Sequence, residues 1–328
     1  MKKILILGLV LSFNANAQSA TSGNCGPKDE NGEYTSSCTW NYDKTTKTLN
    51  ITGDGYMAES FDGYLDSNQD RYRTRAPWAD FDREIQNVDI GGNLKNIGAY
   101  AVYGMPAPNV TISAPIEYIN DQSLASARNI ELPETLQTVN NSGLAWTSST
   151  NAIILPESVE TIGDRAFWWA GATKIILGSN VTSIGEDSFV SGYNEDHLVI
   201  YCEDTSQDRC SNLIGEHNSD YVSKLQLFTK DKDTGVYEVD GTYYANAELL
   251  VKDQACTDKA QCDEIALKAK NGLAFEFNGK FYASLDDFLT GNYERKRIYT
   301  IDEANRVAGE KKSCVNQVSI KKVIFQQS

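Results

Sequence analysis

The sequence predicts an α/β solenoid of short parallel strands, with a β-hairpin cap in front and a small α+β module behind. Three observations predict it. An apolar pattern recurs about every 22 residues between residues 85 and 201, an alternating segment flanked by cysteines precedes it, and two hairpin signatures follow it.

The repeat is explicit. Five ungapped 15-residue units align: 88–102 VDIGGNLKNIGAYAV, 110–124 VTISAPIEYINDQSL, 130–144 IELPETLQTVNNSGL, 153–167 IILPESVETIGDRAF and 175–189 IILGSNVTSIGEDSF. Each is apolar at positions 1, 3, 7, 10 and 15, and LVI at 198–200 begins a sixth copy. Spacers of five to eight residues separate the units. Positions 1 and 3 read as a short strand with alternate residues inward. Positions 7 and 10 read as a second inward pair, and position 15 as a plug for the coil centre. Position 11 holds only Gly98, Asn120, Asn140, Gly163 and Gly185. These types tolerate positive φ, so position 11 is expected to be a left-handed turn residue. No single unit can bury its apolar edge, whereas a stack of units can.

The expected organisation is an export signal at 1–17, a disulfide-containing β cap at 18–84 and the solenoid at 85–201. A linker with a local disulfide follows at 202–221, and the α+β module at 222–328. In the cap, CTWNYDKTTKTLNITGDG alternates as a hairpin, with Trp40, Tyr42, Leu49 and Ile51 inward. Trp40 and Trp78 are therefore expected in the core. In the module, VYEVDGTYYANAEL and AFEFNGKFYASLDDF align as a duplication. Asp240-Gly241 and Asn278-Gly279 mark type I′ turns. Helices are expected at 257–270, 284–290 and 301–308, and a last strand in QVSIKKVIF.

Lys2 and Lys3, an apolar run at 4–13 and Ala15-Asn16-Ala17 have the form of a cleavable signal peptide, so the mature chain is expected to begin at Gln18 and to be exported. No other segment is long and apolar enough to span a bilayer, and the protein is not expected to be integral to a membrane. The formal charge is −15, concentrated in the front: residues 18–220 carry −17 and residues 221–328 carry zero. Such a surface disfavours nucleic acid and anionic lipid, which need Lys and Arg. Export makes disulfides the default for the seven cysteines. The simplest connectivity is local, Cys25 with Cys38, Cys202 with Cys210 and Cys256 with Cys262; the sequence leaves other pairings open. Cys314 remains over, and the oligomeric state is undetermined.

The strings LPESVETIGDRAF and LGSNVTSIGEDSF resemble the leucine-rich repeats of the BspA-like (Treponema pallidum) type, over about residues 85–200. The match weakens at ISAPIEYIN and TVNNSGL, where the Ile-Gly and Phe positions are altered. The Cys-rich hairpin followed by APW is also similar to what precedes the repeats in secreted members. The resemblance implies a secreted or surface-exposed, adhesin-like protein with a protein ligand, host extracellular-matrix or cell-surface proteins among them.

Catalytic motifs are missing: there is no G-x-S-x-G, H-E-x-x-H or dinucleotide glycine loop, and only His197 and His217 as histidines. Asp66, Asn68 and Asp70 have the opening spacing of a calcium loop, but Arg71 and Pro77 stand where its Gly and Glu belong. No metal or cofactor is therefore expected. A binding face is better supported. The outward strand row runs Asp89, Thr111, Glu131, Ile154 and Ile176, from polar to apolar, which calls for contact with a partner or with the C-terminal module. The spacers add Trp146, Trp168, Trp169 and Tyr193, residue types over-used at binding hot spots. The binding candidates are thus Glu131, Trp146, Ile154, Trp168, Trp169, Ile176 and Tyr193. An envelope assembly protein is the alternative reading, and a carbohydrate-active enzyme a minor one.

Overall fold

The computed structural model describes residues 20–65, 72–128, 130–148, 152–190, 197–204, 207–273, 275–277 and 280–282. The signal segment, the Asp66–Asp70 spacing, Tyr193, Cys314, the turn at 278–279 and the helices and strand expected after residue 283 lie outside these residues.

Each repeat makes one coil with three sides. The first side is a strand from positions 1 to 3: Asn87–Ile90, Asn109–Ile112, Ala152–Ile154 and Lys174–Leu177. The second is a two-residue strand, and all five copies, from Asn96–Ile97 to Ser183–Ile184, join in one parallel sheet. The third side is a pair of turns whose N–H groups donate to the next coil, as Tyr100 N does to Asp121 O (3.0 Å) and Trp146 N to Trp168 O (2.9 Å). The second and third sides thus carry hydrogen bonds from coil to coil along the stack, and the first side carries them within its paired strands, which satisfies backbone that no helix covers. Among the described residues the five 15-residue units themselves are strand and turn, with no helix.

The repeat positions fill the centre. Position 7 is sealed in every coil, by Leu94, Ile116, Leu136, Val159 and Val181, and so is position 10, by Ile97, Ile119, Val139, Ile162 and Ile184. Phe167 and Phe189 stack at 6.0 Å between ring centroids, and Tyr221 continues the stack at 5.9 Å.

Position 11 is not the left-handed residue. The positive φ angles fall at position 13 (Tyr100, Gln122, Ser142, Arg165, Asp187) and at position 17 (Gly104, Ser126, Trp146, Trp169). Where glycine stands at position 11, the neighbouring chain leaves no room for a side chain. A Cβ on Gly163 would lie 2.8 Å from the Asn140 carbonyl carbon, and one on Gly185 would lie 2.6 Å from that of Gly163. Where Asn stands there, it forms a ladder: Asn140 Nδ2 donates to Asn120 Oδ1.

The first-side ladder breaks at the third coil, where residues 130–132 form no strand. The spacer before this coil has five residues and the one after it eight. The third coil's only pairing with the second on this side, among the described residues, is a single parallel bridge from Arg128 to Asn109, one residue out of step with the register of the other coils. Ile130 and Leu132 are accordingly half-buried.

The cap is continuous with the solenoid. Thr39–Asp43 and Thr48–Thr52 form the expected hairpin, and the latter pairs in parallel with Asn87–Ile90, placing Leu49 beside Val88 and Ile51 beside Ile90. Trp40 and Trp78 are buried, as expected, with ring centroids 6.0 Å apart. The disulfides Cys25–Cys38, Cys202–Cys210 and Cys256–Cys262 are all formed.

The far end is also continuous. Val199–Glu203 adds the first-side strand of the sixth copy, Leu225–Lys230 pairs with it in parallel, and the hairpin Tyr237–Val239/Thr242–Tyr244 extends the same sheet. Asp240 and Gly241 both have positive φ, as a type I′ turn requires. Helix α1 (Gln207–Gly215) covers the end of the stack. Asn218 there accepts from Ser188 N and donates to Gly185 O, both at 2.9 Å, standing in for the absent next coil. Helices α2 (Ala247–Val251) and α3 (Lys259–Lys270) follow, and Phe275–Phe277 pairs with Lys280–Tyr282 in the second hairpin. The two helices are capped by Asn246 and Asp258, whose side chains accept from Leu249 N and Gln261 N.

Candidate functional site

Two surfaces have the make-up of a binding site. The first is an aromatic ridge on the third side. Trp168 meets Trp146 edge-on at 5.0 Å and Trp169 at 5.5 Å. Trp146 and Trp168 are half-buried and Trp169 is 37% exposed. Position 15 explains this exposure: Phe167 already fills the coil centre, so the two following indoles lie outside it. Trp146 and Trp169 both sit at φ 55°. That conformation costs a residue with a side chain on the order of 1–2 kcal/mol, and Gly104 and Ser126 occupy the same position in earlier coils.

The second surface is the outward strand row. Asp89, Thr111 and Glu131 are exposed and Ile154 is half-buried. Ile176 is only 2% exposed, packed with Tyr201, Phe228, Tyr237, Val239, Ala247 and Leu250. It is therefore not available to a ligand, because the chain's own module covers it. This is why the row turns apolar: the last coils are an internal interface. Burial there also pushes the Tyr201 hydroxyl up to about 12.

Between the module and the third and fourth coils a cleft of about 660 Å3 remains. It brings Glu131 and Ile154 together with Tyr237 and with residues of α2 and α3. At its inner end Lys230 Nζ pairs with Glu157 Oε1 at 2.8 Å. Nearby, Glu203 Oε2 is sealed from solvent without a hydrogen-bond partner. Burial, then the charge of Glu157, pushes the Glu203 carboxyl above its usual range. No motif marks Glu157, Glu203, Lys230 or Tyr237 in the sequence, and only the return of the chain onto the coils brings them together.

Among the described residues no group of three His, Cys, Asp or Glu is placed to hold a metal ion. No helix there is long and apolar enough to cross a membrane.

Comparison with known proteins places the repeats. A family described as BspA type leucine rich repeat region matches residues 81–142 and 123–203, in six copies. Among solved structures, a leucine-rich repeat protein from Eubacterium ventriosum matches with 16% identity and a TM-score of 0.40, over 62% of this chain and 46% of that one. This chain thus spans less than half of that protein. No curated protein matches. Residues 81–203 of this chain are a BspA-type leucine-rich repeat region.

Proposed function

We propose that the protein is a non-catalytic, exported binding scaffold that takes a protein ligand on the ridge formed by Trp146, Trp168 and Trp169. The leucine-rich repeat family is one of protein-interaction modules, and it supports the reading in that general form. The observation that carries the assignment to the ridge is backbone strain. Two consecutive coils hold tryptophan at positive φ, at the position where the two coils before them have glycine and serine. Strain kept at an exposed aromatic residue points to use of that side chain. Display at the cell surface, with host matrix or surface proteins as ligands, completes the proposal in its adhesin-like form.

The test is surface plasmon resonance of residues 18–328 over a panel of immobilised matrix and cell-surface proteins, with Trp168→Ala/Trp169→Ala alongside. Saturable binding that a folded double variant loses supports the reading. No binding to any panel member favours an envelope assembly protein instead.

A further inference from the structure

We propose that the cleft between the third and fourth coils and the C-terminal module is a second binding site, separate from the aromatic ridge, for an extended cationic peptide segment.

The cleft follows from two features. The module seals the first side over Ile176 and Tyr201 and still touches the fourth coil at Ile154 and Glu157, but a gap remains between it and the third coil. At this gap the third coil contributes no strand. Ala152–Ile154 is left as the end strand of the six-stranded sheet, paired on one side with Lys174–Ile176 and with no strand on the other among the described residues. Ala152, Ile153 and Ile154 line the cleft. A strand edge opening into a concave site is the geometry that accepts an added strand, in which main-chain hydrogen bonds give affinity and the pockets beside them give selectivity.

The side chains set the chemistry. Ile154, Ala247, Ala266 and Ala269 make the interior apolar and leave room for aliphatic side chains. Glu131, Glu134 and Glu248 also line it and have no ion-pair partner among the described residues. Of the two lysines, Lys230 is held by Glu157, which leaves Lys270 alone against the three glutamates. The cleft is therefore net negative. An extended segment presents alternate side chains to opposite faces. A strand alternating aliphatic and basic residues places the first set inward and the second against the glutamates.

The test is fluorescence polarisation of the mature chain with a labelled alternating Lys/Val peptide about nine residues long, roughly 30 Å when extended. A Glu/Val peptide of equal length is the comparison. The variants are Glu131→Lys/Glu134→Lys at the cleft, Glu30→Lys/Glu59→Lys as an equal charge change at exposed sites elsewhere, and Trp168→Ala/Trp169→Ala on the ridge. Circular dichroism checks that each folds. The proposal expects saturable binding of the Lys/Val peptide only. It expects a loss of about tenfold or more in the cleft variant, with the other two within about twofold of wild type. Absence of saturable binding overturns it. Equal weakening by both charge reversals overturns it too, since that outcome is non-specific attraction to an acidic protein. Loss in the ridge variant assigns the peptide to the ridge, and also overturns it.

Discussion

Lys230 Nζ lies 2.8 Å from Glu157 Oε1, joining the first strand after the solenoid to its fourth coil. A second ionic link crosses this seam: Lys174 Nζ reaches Asp253 Oδ1, at 2.7 Å, and the Val251 carbonyl, at 2.9 Å. Module and coils are therefore bound by a shared sheet, a shared apolar cluster and paired charges.

The seam makes stability depend on pH. Glu203 has a pKa raised by burial and by Glu157, so the folded state holds its proton more tightly than the unfolded chain does. The contribution of this group is most favourable below the ordinary carboxylate value of 4.5 and is lost as pH rises through the raised folded value. Glu203→Gln, which carries no charge, should melt above wild type at about pH 7.5. The advantage should shrink as pH falls towards 4.5. Melting curves across that range check it, and an advantage that does not vary with pH counts against the coupling.

Ile176 is a core residue although it lies on the outward row. Ile176→Ala should destabilise the chain by about 2–5 kcal/mol in urea unfolding, as buried truncations do. A change within about 0.5 kcal/mol is the behaviour of a solvent-facing position.

The two turn positions should respond in opposite ways. Gly185→Ala forces a Cβ against the preceding coil and should cost about 1–3 kcal/mol. Ser142→Gly, at φ 54°, relieves a left-handed residue and should be neutral or stabilising by up to about 1 kcal/mol. Thermal melts of the two variants decide whether position 11 or position 13 carries the turn.

The cap disulfide closes a short loop, with 13 residues of sequence separation. Cys25→Ser/Cys38→Ser should lose about 3 kcal/mol of stability by loop-closure entropy. Calorimetry of the variant against the oxidised wild type checks it, and an unchanged melting temperature would show that the hairpin register with Asn87–Ile90 holds the cap alone.

What could be read from the sequence was whatever repeats. Positions 7, 10 and 15 recur in five copies because each coil solves the same burial problem, and all are buried. The hairpin turn at Asp240-Gly241 was legible because its residue types carry the required φ. The left-handed positions were not, since Tyr100, Gln122, Ser142, Arg165 and Asp187 share no side-chain chemistry, and the backbone of the first four is held by ladder hydrogen bonds to the next coil. Glycine at position 11 has two physical causes, φ and close approach, and the sequence alone does not separate them. The candidate residues divided in the same way. Trp168 and Trp169 stood out by type, whereas the apolar character of Ile176 fitted a partner or the C-terminal module equally, and only the packed structure shows that the module covers it. The cleft depends on one spacer of five residues and one of eight, a difference with no visible consequence until the strands are laid in register.

The most direct test of the account is iodide quenching of tryptophan fluorescence while a protein ligand found on the panel is titrated. Of the five tryptophans, Trp40 and Trp78 are buried in the cap, so surface quenching reports on Trp146, Trp168 and Trp169. The account predicts that quenching falls in step with saturation and that the Trp168→Ala/Trp169→Ala variant loses both signal and binding. Saturable binding with unchanged quenching would contradict it and move the protein contact away from the ridge.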